Sequence, residues 1–157
     1  MSFMNLQARL MKTAPAAMRR QVAALCHRQT DTGREVLLIT TRGTGRWMLP
    51  KGWPMAGKPD HEAARIEAWE EAGVRPARVA EKPFGAFDYV KNHDDGTSER
   101  CLADAYPIEV ETLAEDFPEA GQRRRQWVPV GKAADMAEDR GLRDLLRAFA
   151  ASTTANA

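Results

Sequence analysis

Glu67, Glu70 and Glu71 stand at i, i+3 and i+4 within residues 51–74, KGWPMAGKPDHEAARIEAWEEAGV. In an α-helix that spacing brings three carboxylates onto one face inside a single turn. Like charges so placed repel one another by about 0.2–0.5 kcal/mol per pair, and the basic i+4 candidate, Arg75, lies beyond Gly73. A hard divalent cation relieves the repulsion, because Mg²⁺ takes carboxylate oxygens and fills its remaining octahedral positions with water and substrate phosphate. An acidic helix face taken alone is commonly just solvated. The frame around this one favours a metal site: Leu49-Pro50-Lys51 leads in, Gly52 and Gly57 bracket a loop with Trp53-Pro54, and Gly73 stands where a helix C-cap glycine belongs.

Loop, acidic helix and glycine stop together resemble the Nudix box, whose pattern is a glycine, five residues, Glu, seven residues, then Arg-Glu-apolar-x-Glu-Glu-x-Gly-apolar. Gly52 matches the first glycine, Glu67 the Glu of the Arg-Glu pair, Ala68 the apolar position, Glu70 and Glu71 the paired acids, and Gly73-Val74 the ending. Lys58 replaces the loop Glu and Ile66 replaces the Arg, with Arg65 next to it. Losing both ends of an ion pair strands no lone charge. The resemblance therefore implies retained chemistry, with the departures bearing on the shape and rigidity of loop 51–58. It implies Mg²⁺ as cofactor, Mn²⁺ as a substitute, Glu67, Glu70 and Glu71 as metal ligands and Glu70 as general base. Glu115, Asp116 or Glu119 of a later loop are the alternative bases.

A polyphosphate needs positive charge beyond the metal. The candidates are Arg19 and Arg20, Arg42, Lys51 with Gly52 at the box entrance, and the run 123–125, represented by Arg124, of which at most one arginine is expected to face the cleft. Within the family the arrangement is similar to the diphosphoinositol polyphosphate phosphohydrolase branch: Arg19-Arg20 before Ala23 to Cys26, Arg46-Trp47 before the box, and the basic run before Trp127. Leu49-Pro50-Lys51-Gly52 also looks like dinucleoside polyphosphate hydrolases. The implied activity is Mg²⁺-dependent hydrolysis of a diphosphate linkage in a phosphorylated small molecule. The alternatives are a nucleoside triphosphate or nucleotide-sugar pyrophosphatase and a non-catalytic ligand-binding protein.

Composition narrows the partners. At 157 residues with net charge +1, the chain suits one domain and not general nucleic-acid binding by charge. Cys26 and Cys101 have no zinc or disulfide spacing and read as buried small hydrophobes. No apolar stretch reaches membrane-spanning length, and the cytoplasm is the default compartment.

The pattern predicts strands over 19–27, 35–41, 46–49, 78–82, 84–90, 100–108 and 126–130. It predicts helices over the box, over 132–138 and over a stripe of Leu142, Leu145, Leu146 and Phe149, with Phe3, Leu6 and Leu10 on a short surface helix. Asp60 reads as the box helix N-cap, with Ile66 and Trp69 docking the helix on the sheet. His93-Asp94-Asp95-Gly96 is a hairpin turn with His93 solvated, and 109–121 reads as a mobile acidic loop. Strands before and after one helix, then closing helices, give an α/β fold with a mixed β-sheet, similar to the Nudix-type α/β/α sandwich. The expected organisation is an extension over 1–16, the domain over 17–151 and a disordered tail over 152–157.

Overall fold

A computed structural model of the chain describes residues 18–155. The helix expected near Phe3 lies outside them. Eight strands form one sheet: β1 (Met18–Thr30), β2 (Gly33–Thr40), β3 (Trp47–Met48), β4 (Lys51–Gly52), β5 (Val74–Val79), β6 (Gly85–Asn92), β7 (Ser98–Leu113) and β8 (Arg125–Pro129). Among the described residues three helices accompany them, α1 (Asp60–Ala72), α2 (Val130–Met136) and α3 (Arg140–Ala155). The spatial order is β3-β2-β1-β7-β5, with β4 on β1, β6 on β7 and β8 on β2. Only β1 and β7 run parallel, Arg19 opposite Cys101 and Ala23 opposite Ala105. Every other strand-to-strand pairing among the described residues is antiparallel, with one isolated parallel bridge from Trp47 to Ala137, so the sheet is mixed as expected.

Each face has its own core. Ala63, Ala64, Ala68 and Ala72 of α1 pack on Val22, Ala24, Cys26, Leu37, Ile39 and Ile108. Leu142, Leu145, Leu146 and Phe149 of α3, with Ala133 and Ala134 of α2, pack on Ala23, Leu25, Phe87 and Tyr89. The result is the α/β/α sandwich. Both cysteines are free and buried.

Several local expectations are corrected. The box helix docks through its alanines, while Ile66 and Trp69 stay half-buried, because small side chains let the helix approach the sheet closely. Asp60 is the first helical residue, after Pro59, and its carboxylate pairs with Arg20 instead of capping. Lys51 and Gly52 form a strand where a loop was expected. Residues 109–113 continue β7 and pair with β5, which starts at Val74, immediately after the Gly73 cap. The closing helix continues through Ala155, past the point where a tail was expected to begin.

Candidate active site

Gly73 ends α1 in the left-handed region, φ 69°, with its N–H returning to the Trp69 carbonyl. Arg125 donates to the Ala72 carbonyl at 2.7 Å, a cation on the negative end of the helix. Ahead of the helix, Lys58 N–H closes a turn on the Met55 carbonyl, 3.1 Å, with Gly57 at φ 76°. Met55 packs on the α1 core, so a turn and an apolar anchor fix the loop where the Glu-Arg pair is missing. Lys58 itself is exposed.

The alternation of β4 turns Gly52 toward α1, where Glu67 meets it. A Cβ on Gly52 would lie 2.5 and 2.7 Å from the Glu67 carboxylate oxygens, so only glycine leaves this carboxylate its place. Glu67 in turn bonds to Glu71, whose Oε1 accepts the Lys51 backbone N–H at 3.2 Å. Burial, then the charge of Glu71, pushes the Glu67 carboxyl up to about 8, with Glu70 and Glu119 adding to it. Burial also raises Glu71, against the opposing pull of Arg123 and Lys51. Burial and mutual charge thus favour a proton held between the two acids.

Glu70 does not complete a triad. Its backbone carbonyl accepts from Glu119 N–H at 3.0 Å, and its charge is felt at Glu67. Among the described residues no group of three or more His, Cys, Asp or Glu is already arranged to hold a metal ion. The donor set nevertheless suits a hard divalent cation, since it consists of carboxylate oxygens that now satisfy each other only by retaining a proton.

The expected cations separate. Arg124 extends over Trp47, 5.2 Å to the ring, and Trp47 belongs to the core on the α3 face. It is Arg123 that reaches the carboxylates. It lies 3.9 Å from Glu71 Oε2, donates to Glu119 Oε1 at 3.3 Å and to the Thr40 carbonyl at 3.2 Å, and leaves its buried Nε without a partner. No spacing in the sequence separates Arg123 from Arg124, because both precede β8 and Arg123 lies in a bend. Arg42 sits at the rim, bonded to Gln122 at 3.1 Å. Arg20 is held by Asp60 and Asp104, about 10 Å along α1 from Glu67 by helix rise. Arg19 lies over Trp53 and pairs with Glu99. Lys51 carries its ammonium over the Tyr89 ring, 4.8 Å away, and burial pulls it down to about 8 against the charge of Glu71. Of the loop acids, Glu119 faces the site, while Glu115 is 97% exposed beside Arg125. His93 is bonded to Glu99 at 2.6 Å.

A family model for the NUDIX domain matches residues 18–149. The chain belongs to the Nudix family. Among curated relatives it is similar to Nudix hydrolase 21, chloroplastic, of Arabidopsis thaliana, at 32% identity over 116 residues, 73% of this chain and 56% of that protein. The chain thus spans just over half the length of that relative. Among solved structures it is similar to a C. elegans Ap4A hydrolase binary complex, with TM-score 0.61 and 17% identity over 88% of this chain and 99% of that one. It is also similar to the NUDIX domain of Shewanella oneidensis NrtR complexed with ADP ribose, with TM-score 0.60 and 18% identity over 94% and 99%. These structures share the Nudix fold with the chain. Among the described residues no helix is long and apolar enough to cross a membrane.

Proposed function

We propose that this Nudix domain hydrolyses a diphosphate linkage in a small phosphate-rich molecule, with Glu67 and Glu71 as ligands of a divalent cation and Glu70 as general base. The observation that carries the reading is the buried Glu67–Glu71 carboxyl pair set against Gly52. When bound, Mg²⁺ or Mn²⁺ polarises phosphoryl oxygens and lowers the pKa of water. Gly52 keeps the Glu67 carboxylate oriented, and the Lys51 N–H does the same for Glu71. Arg123 steadies Glu71 and sets a guanidinium charge beside the carboxylates, where charge develops on the leaving phosphate. Glu70 enters no ion pair among the described residues, which leaves its carboxylate free to accept a proton from the attacking water.

For the substrate, the finer reading is a diphosphoinositol polyphosphate or a dinucleoside polyphosphate. Arg123 at the carboxylates, with Arg42 at the rim and the Lys51 backbone N–H on Glu71, supports it, as does likeness to a protein named for Ap4A hydrolysis. Turnover on a panel of pyrophosphorylated inositols, dinucleoside polyphosphates, nucleoside triphosphates and ADP-ribose with Mg²⁺ tests this. Orthophosphate release from the first but not from nucleotides marks the inositol branch. Glu70→Gln and Glu71→Gln should each lower kcat by about 100-fold or more. A wild type that binds these ligands and cleaves none, or Gln variants at full rate, would overturn the reading.

A further inference from the structure

The sheet face opposite α1 carries a second set of charges. Register and alternation place Arg19 of β1, Lys51 of β4, Tyr89 and Lys91 of β6, and Glu99 and Cys101 of β7 on that one face. Helix α3 runs from Gly141, packed against Asp88, to Phe149, 5.5 Å from His27, with Asp139 set against Tyr89 and Lys51, and the register places Arg19 and Lys91 at and beyond its start. Here Trp53, two residues beyond Lys51, stands 36% exposed, an unusual place for a large aromatic. Arg19 lies 4.4 Å from its ring and Lys91 5.9 Å, so one indole holds two cations side by side. Glu99 balances Arg19 at 3.3 Å and also meets His93. Lys91 has no ion-pair partner among the described residues. From Arg123 at the carboxylates through Lys51 to Lys91 and Arg19, positive charge runs outward past the free edge of β4.

We propose that Arg19 and Lys91, braced by Trp53, form a second anion subsite that holds phosphoryl groups of the substrate beyond the scissile linkage. The chain then selects polyphosphorylated ligands over plain diphosphates. The assignment rests on the hydrolase reading only for where the scissile linkage lies. Cation-lined clefts of this kind recognise linear or clustered phosphates through charge-assisted hydrogen bonds. Trp53 is a positioning residue that keeps two mutually repelling cations in place.

Inorganic tripolyphosphate in EDTA, followed by calorimetry, is the probe. Wild type should bind it, and Lys91→Met should weaken binding by about tenfold, the loss of one charge-assisted contact. Trp53→Leu should weaken it similarly, and Trp53→Phe should restore most of the affinity. Lys132→Met, the same charge change on the exposed face of α2, should leave binding as in wild type. No binding by wild type, a Lys91→Met variant that binds normally, or an equal loss in Lys132→Met would overturn the subsite. Turnover of the same proteins keeps the two readings apart. Lys91-dependent binding without hydrolysis of any substrate sinks the hydrolase alone, and hydrolysis with Lys91-independent binding sinks the subsite alone.

Discussion

Two carboxyl groups in contact inside a partly buried site are an arrangement that folding alone does not favour. At Glu67 and Glu71 a proton on the pair and the charge of Arg123 beside Glu71 relieve the repulsion, so neutralising Glu67, which has no cation of its own, should not weaken the metal-free fold. Glu67→Gln is expected to match or exceed wild type in thermal midpoint in EDTA, and to lose the upward shift that Mg²⁺ gives wild type. A lower midpoint in EDTA would mean that the carboxylate serves the fold. Gly52→Ala separates geometry from charge. The backbone at Gly52 suits any residue, so stability should change little, yet the new methyl displaces the Glu67 carboxylate and kcat/KM should fall by about tenfold or more. The basic run offers a paired comparison: Arg123→Gln should cut turnover about 100-fold, and Arg124→Gln should leave it within about twofold of wild type. At this scale the acids and Gly52 were legible because a fixed spacing carries them. The choice of Arg123 over Arg124 was not, because it depends on where β8 starts relative to β2, a pairing set by residues far apart in the chain.

At the scale of elements, α1 is held by alanines. Ala68 is fully buried between helix and sheet, so Ala68→Leu should destabilise the domain by about 1–3 kcal/mol through overpacking, measurable by urea unfolding. An unchanged midpoint would mean that the helix can lift off the sheet without loss. A periodicity search looks for large apolar residues and so settled on Ile66 and Trp69, whereas close approach is built from small ones. Across the sheet, burial and the charges of Arg34 and Arg78 pull His27 down to about 4, with Glu109 opposing. The unfolded chain therefore binds this proton first, and stability should fall as pH drops from about 6.5 to 4. Half-burial limits the loss to about 1–2 kcal/mol, and His27→Gln should remove it, so the difference between the two proteins in urea midpoint across that window is the readout. Strand limits in β5 and β7 were misplaced for a physical reason: Glu109 and Thr112 look like loop residues until β5 pairs with them, and Glu111 falls at a register shift between them.

For the molecule as a whole, the parallel β1–β7 pair is the organising contact. It joins the first and seventh strands, buries both faces and gives each face a separate core. The alternation of strands against one box helix made the sandwich legible, since few layer architectures accommodate that pattern. Which edge β4 leaves free was not legible, because a two-residue strand has no period to read. That edge sets the carboxylates beside the cation-bearing face. The central claim, that Glu67 and Glu71 gather a divalent ion beside a phosphoanhydride, is tested most directly by titrating Mn²⁺ into wild type and the Glu67→Gln/Glu71→Gln double variant, with turnover of a dinucleoside polyphosphate followed in the same samples. Wild type should bind the ion and turn over in proportion to its occupancy, and the double variant should do neither. Equal Mn²⁺ binding by both proteins, or turnover by wild type that persists in EDTA, would contradict it.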